Sequence, residues 1–202
     1  MSRTFKNDRK EKEEIHVDAP MAPNLAEKLL KTRTLSLFEE VNAKVAKEVI
    51  QGLFLLEADD DKKPITLFLN SPGGEVNSGF AIYDAIRFIK PEVKIVCTGL
   101  CASIATVILM AAKKENRLSL PNCRFLIHQP WTGGVGGSTT DVEITAREIV
   151  KTREKINELL AKETKQPLAK ISEDTDRDFW MSATHAHEYG LISKIIQTRS
   201  EI

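Results

Sequence analysis

The feature that most constrains this chain is an alternation of short apolar runs, glycine-bearing turns and helix-spaced segments. Ile65-Thr66-Leu67-Phe68-Leu69 is a strand-type run, halted by Asn70-Ser71-Pro72-Gly73-Gly74. A helical pattern follows through Phe80, Ile82, Tyr83, Ile86 and Ile89. Val93 to Cys97 forms a second run that leads into Gly99, and a helix is expected from about Ala102 to Lys113. A third run, Arg124 to Ile127, ends at His128. Strands separated by helices return to the sheet in the same direction, so the pattern predicts an α/β fold with a mainly parallel sheet and right-handed crossovers.

The flanking segments extend this pattern. Val45, Val49, Ile50, Leu53 and Phe54 make Asn42 to Glu57 an amphipathic helix, started by Asn42 and ended by Asp59-Asp60-Asp61 and Pro64. Glycines at 133, 134, 136 and 137 predict a flexible loop. After it, Asp141 to Lys162 reads as one helix of about six turns, with Val142, Ile144, Ile149, Ile156, Leu159 and Leu160 as its apolar surface. A helix this long projects from a small domain and is expected to meet another subunit. Ser182 caps a short helix that Gly190 stops, and Leu191 to Ile196 is a closing strand. Residues 1 to 20 are charge-dense and nearly free of large apolar groups, so they are expected to be a mobile tail. Residues 21 to 202 are expected to form a single domain.

Composition narrows the function classes. Lysine plus arginine number 29 and aspartate plus glutamate number 29, which leaves no net field to attract nucleic acid or an anionic membrane. No apolar run reaches the roughly 20 residues of a membrane span. Cys97, Cys101 and Cys123 are odd in number and lie in apolar contexts, as reduced core thiols do. With no apolar leader at its start, the chain is expected to be cytoplasmic.

Three motifs lie at the carboxyl ends of expected strands, where open α/β sheets place their ligands. They are Pro72-Gly73-Gly74, the Gly99-to-Ser103 turn, and Ile127-His128-Gln129-Pro130. Ser103 opens a helix, beside unpaired backbone N–H groups able to hold an oxyanion. His128 is a candidate general base. Asp178 precedes Phe179-Trp180-Met181, an apolar cluster expected to cover it, and a carboxylate there would orient an imidazole. Each residue alone has a plainer explanation: a helix cap, a half-buried histidine, a surface ion pair. Spacing does not choose among Asp174, Asp176 and Asp178. Gly73 and Gly74 permit close backbone approach, either for an oxyanion donor or for a simple turn. No Lys-Ser/Thr follows at P-loop spacing, and His185 and His187 do not share a helix face, so phosphate and metal readings are weak.

Taken together, these residues resemble the ClpP family of caseinolytic serine peptidases, over about Leu53 to Ile196. Asn70 to Gly74 resembles the oxyanion loop, Ala102-Ser103 the nucleophile turn, and Ile127 to Pro130 the histidine motif. Thr140 to Ile149 resembles the start of the family's handle helix. Asp176-Arg177-Asp178, Met181-Ser182-Ala183 and Glu188 to Leu191 resemble its C-terminal block. The resemblance implies a ClpP/crotonase-like fold of repeated β-β-α-type units, with a protruding handle at about residues 131 to 162. It implies Ser103 as nucleophile, His128 as base, Asp178 as orienting acid, and the N–H groups of Gly74 and Ile104 as oxyanion donors. It further implies two stacked heptameric rings that cut unfolded polypeptide fed by an ATP-dependent AAA+ unfoldase, with no cofactor in this chain. The nucleophile turn reads Gly-Leu-Cys-Ala-Ser-Ile-Ala, where the family commonly has Met-Ala-Ala-Ser-Met-Gly. That departure raises the alternative of a subunit with little activity unless assembled with a second ClpP-type subunit. A crotonase-type acyl-CoA enzyme would share the architecture but needs no Ser-His-Asp set.

Overall fold

A computed structural model describes residues 28–131, 133–134 and 136–202; the tail expected over residues 1 to 20 lies outside them. Seven strands form one sheet: β1 (Thr34–Leu37), β2 (Ile65–Ser71), β3 (Val93–Ala102), β4 (Arg117–Ser119), β5 (Arg124–Ile127), β6 (Phe179–Ser182) and β7 (Lys194–Ile195). The helices of six residues or more among the described residues are α1 (Ala43–Asp59), α2 (Val76–Phe88), α3 (Ile104–Leu109), α4 (Thr139–Thr164), α5 (Leu168–Asp174) and α6 (Ala183–Tyr189). Every strand pairing is parallel except that of β5 with β6. The parallel α/β expectation therefore holds, and the antiparallel β6 is an addition.

Alternation explains how β2 packs: Ile65, Leu67 and Leu69 are fully buried, while Thr66, Phe68 and Asn70 between them are half-buried. Helix α1 starts where Asn42 accepts the Val45 N–H at 3.0 Å. At the other end of the chain, Ser182 accepts the His185 N–H at 3.2 Å to start α6, and Gly190, at φ +96°, ends it.

Strand β3 differs from the sequence expectation in a way that builds the site. It does not stop at Cys97 but runs to Ala102. Leu69 pairs with Cys97, and Ser71 pairs with Cys101, so β3 carries extra residues between these two pairs as a bulge. Gly99 takes φ +64° there, and a Cβ would stand 2.7 Å from Asn70 Oδ1. The same oxygen accepts the Leu100 N–H at 2.9 Å. This bend lets one strand serve two neighbours: Ile95 to Cys97 pair with β4, and Leu100 to Ala102 pair with β5. Gly99, expected to open a turn after the strand, is here the residue that permits a bulge within it.

The helix after Ser103 is also shorter than expected, ending at Leu109 and not near Lys113. Arg117, with its side chain 1% exposed, donates from Nε to the Ala112 carbonyl at 2.9 Å and from Nη2 to the Met110 carbonyl at 3.3 Å. It also pairs with the Glu163 carboxylate at the end of α4. A buried guanidinium thus takes carbonyls that further helical turns would have used. Strands β1, β4 and β6 and helix α5 have no counterpart in the sequence expectation, and only Lys194–Ile195 of the closing strand pairs. Among the described residues no helix is long and apolar enough to cross a membrane.

Candidate active site

Ser103 sits at the junction of β3 and α3 with φ +56° and ψ −128°. Positive φ is sterically costly for a residue with a Cβ, so other contacts must hold it. Its N–H donates to the Leu126 carbonyl of β5 at 2.9 Å. Its carbonyl accepts both the Thr106 N–H at 3.0 Å and the Thr106 hydroxyl at 2.7 Å. The side chain makes no capping bond to α3, so the helix-cap explanation of this serine fails. Its Oγ lies instead 2.9 Å from His128 Nε2.

His128 follows β5, where the chain leaves the sheet. The Gln129 N–H donates to the Thr175 carbonyl at 2.7 Å, and Gln129 Nε2 donates to the Asp176 carbonyl at 2.8 Å. These bonds tie the histidine segment to the segment before β6. Asp178 there places Oδ1 3.1 Å from His128 Nδ1. The rival carboxylates are engaged elsewhere: Asp174 accepts the Tyr189 hydroxyl at 2.6 Å, and Asp176 faces Gln129. Geometry therefore selects among the three acids where spacing did not.

The apolar cover expected over Asp178 is absent, and its side chain is 62% exposed. Strand alternation explains the difference. Met181 points into the core, whereas Trp180 points out and stacks on Arg124, whose guanidinium carbon lies 4.6 Å from the ring centroid.

Behind this pair lies a support that the sequence reading misses. Thr175, 1% exposed, donates from Oγ1 to Asn157 Oδ1 at 3.0 Å and to the Ile171 carbonyl at 2.8 Å. Asn157 belongs to α4 and is itself buried. The available signal is a polar residue beside Ile156 on the helix face that also carries Leu160.

The glycine loop completes the site. Ser71 Oγ donates to the Glu39 carbonyl at 2.6 Å and accepts the Gly73 N–H at 3.2 Å. The Gly73 carbonyl accepts the Val41 N–H at 2.7 Å, and the Glu75 N–H donates to the Val41 carbonyl at 2.8 Å. In this parallel bridge the peptide groups flanking Gly74 bind Val41, so the N–H of Gly74 itself faces the opposite edge. Ser103 stands beside the same loop: a Cβ on Gly73 would be 2.7 Å from Ser103 Cβ and 3.2 Å from the Ile104 nitrogen. Ile104 is the first residue of α3, so its N–H has no place in the helical ladder. A hydroxyl, an imidazole, a carboxylate and two uncommitted backbone donors make an arrangement suited to acyl transfer.

A family model described as Clp protease matches residues 18–199. The chain belongs to the Clp protease family. It is 44% identical over 185 residues to ATP-dependent Clp protease proteolytic subunit 3 of Rhizobium etli, covering 92% of this chain and 94% of that one. It is 46% identical over 176 residues to proteolytic subunit 2 of Treponema pallidum, covering 87% and 88% respectively. A solved structure of a ClpP1 point mutant from Listeria monocytogenes superposes with a TM-score of 0.81 at 47% identity, covering 87% of this chain and 98% of that one. The fold is thus a ClpP fold.

Two departures from the family's usual sequence in the turn that carries Ser103 now have a structural context. Cys101 is fully buried and packs inward from β3. Cys97 and Cys123 are free and buried as well, and burial among neighbouring thiols holds Cys97 well above the usual thiol range. The cysteines are buried core residues. Ile104, on α3, is buried against α2, where a Cβ on Gly79 would fall 2.2 Å from its Cγ1. The branched side chain occupies the space that glycine leaves.

Proposed function

We propose that this chain is a serine endopeptidase subunit whose reaction is carried by Ser103, His128 and Asp178. The observation that carries the reading is the continuous contact from Ser103 Oγ to His128 Nε2 at 2.9 Å and from His128 Nδ1 to Asp178 Oδ1 at 3.1 Å. Ser103 Oγ adds to the scissile carbonyl as its proton passes to His128 Nε2. The resulting oxyanion lies between the N–H groups of Gly74 and Ile104. His128 then protonates the departing amine, leaving an acyl group on Ser103 that water removes by the same steps. Asp178 holds the imidazole in the required tautomer and offsets the imidazolium charge. The chain supplies all of these groups itself and calls on no cofactor.

The working form is a chamber of two stacked heptameric rings in the cytoplasm, supplied with unfolded polypeptide by an ATP-dependent AAA+ unfoldase and releasing short peptides. Val142, Ile144 and Val150 support assembly, because they are exposed apolar residues on one stretch of α4. The exposure of Asp178 favours a second reading, in which a neighbouring ClpP-type subunit of another kind must cover this carboxylate before the site turns over.

Ser103→Ala tests the chemistry: fluorophosphonate labelling and peptide hydrolysis fall to background, while a particle far above 22.6 kDa persists. Undiminished hydrolysis by this variant removes Ser103 from its role. Activity that appears only on mixing with a second subunit type selects the second reading.

A further inference from the structure

We infer that Thr106 is a positioning residue for the oxyanion cradle: its hydroxyl holds the Ser103 carbonyl and thereby aims the N–H of Ile104. The inference rests on Ser103 being the nucleophile. The Ser103 carbonyl and the Ile104 N–H are two ends of one peptide group. That group is planar and trans, so the two bonds point in opposite directions. Fixing where the carbonyl points therefore fixes where the N–H points. The carbonyl accepts two bonds from Thr106, one from its N–H at 3.0 Å and one from its hydroxyl at 2.7 Å. The Ile104 N–H then points away from the body of α3. Its nitrogen is the one that a Cβ on Gly73 would approach to 3.2 Å, so this end of the peptide borders the glycine loop.

The backbone of Ser103 explains why such a fastening matters. It stands at φ +56° and ψ −128°. At positive φ the ordinary well for a residue with a Cβ is the left-handed region, with ψ near about +47°. Reaching that well from here rotates the peptide after Ser103 by roughly half a turn and sends the Ile104 N–H the other way. The peptide before Ser103 is held by β5, through the bond from the Ser103 N–H to the Leu126 carbonyl at 2.9 Å. The peptide after it is held from α3, by Thr106.

The hydroxyl bond is sheltered as well as short. Thr106 is 2% exposed, so water does not compete for its partner. Threonines in helices commonly bond back to a carbonyl three or four residues earlier, and the bond itself is ordinary. What is particular is the acceptor. It belongs to a residue outside the helix, at positive φ, whose peptide carries an oxyanion donor at its far end.

The test compares Thr106→Val, which keeps the branched shape and the N–H, with Thr106→Ser, which keeps the hydroxyl, in the assembled enzyme. In Thr106→Val, kcat for a fluorogenic peptide falls about fivefold, the scale of one neutral hydrogen bond, while KM stays within about twofold. A peptide boronate, whose tetrahedral adduct on Ser103 places an oxygen in the cradle, loses affinity by the same factor. The same peptide without boron binds as before. Because the Ser103 carbonyl keeps its bond from the backbone N–H, the urea midpoint does not fall with kcat. Thr106→Ser recovers most of kcat and of the boronate affinity. If Thr106→Val folds poorly, Thr106→Ala against Thr106→Ser makes the same comparison. Undiminished kcat in Thr106→Val, or equal losses in Thr106→Val and Thr106→Ser, overturns the inference; with fluorophosphonate still taken up by Ser103, the peptidase reading stays intact. Equal weakening of boronate and plain peptide also overturns it, since Thr106 would then be a wall of the substrate site. A wild type that takes no fluorophosphonate and cuts no peptide, alone or with an added ClpP-type subunit, overturns both.

Discussion

From Thr139 to Lys155 helix α4 buries no residue, whereas from Ile156 to Thr164 it buries Ile156, Asn157, Leu160 and Thr164. Both stretches carry apolar residues, yet Val142 and Ile144 are 40% and 53% exposed while Leu160 is 1% exposed. The later stretch walls the pocket beside Ser103 and receives the Thr175 hydroxyl through Asn157. The earlier one begins with a full capping box, in which Ser138 accepts the Asp141 N–H and Asp141 accepts the Ser138 N–H. Its ion pairs, Arg147 with Glu143 and Lys151 with Glu148, are exposed. Such pairs and caps sustain a helix that has little to pack against in its own chain. One helix therefore does two kinds of work: its second half belongs to the site, and its first half offers surface.

That contrast can be broken at either end. The largest effect is expected at the anchor of the buried half. Arg117→Ala leaves the Glu163 carboxylate and the carbonyls of Met110 and Ala112 without their buried partner. Losing one member of a buried ion pair costs about 3–5 kcal/mol, and urea unfolding measures it. An unchanged midpoint would mean that Arg117 does not fasten the buried half to the core.

A smaller effect is expected at the link between α4 and the acid segment. Thr175→Val abandons the Asn157 and Ile171 acceptors, at a cost of about 1–3 kcal/mol for buried groups left unpaired. Because the Thr175 carbonyl also receives the Gln129 N–H next to His128, kcat is expected to fall several-fold with KM nearly unchanged. Thr175→Ser keeps the hydroxyl and restores most of kcat. Equal loss in both variants would make Thr175 a packing residue and not a positioning one.

The smallest effect on the folded chain is expected in the free half. The double variant Val142→Ser and Ile144→Ser shifts stability of the subunit by roughly 0.5 kcal/mol or less at each site, as exposed substitutions do. If these residues join subunits, light scattering shows a lower particle mass at the same concentration. An undiminished mass would reassign that stretch to solvent.

Reading residues along the chain is enough to locate α1, α2, α4, α6 and the main strands, since each depends on a local period, a cap such as Asn42 or Ser182, or a stop such as Gly190. Ser103, His128 and the Gly73-Gly74 turn can also be singled out, because all three stand where strands end. Other features depend on residues far apart in the chain. The bulge that carries β3 past Gly99 requires Asn70 from another strand, and α3 ends early where Arg117 takes the carbonyls of Met110 and Ala112 just beyond it. The choice of Asp178 over Asp174 and Asp176, and its exposure, follow from which carboxylate reaches the imidazole once β6 pairs with β5. Short-range periodicity encodes which face of an element is apolar. What that face meets, and how much room remains beside Ser103, is decided only when distant segments share one volume.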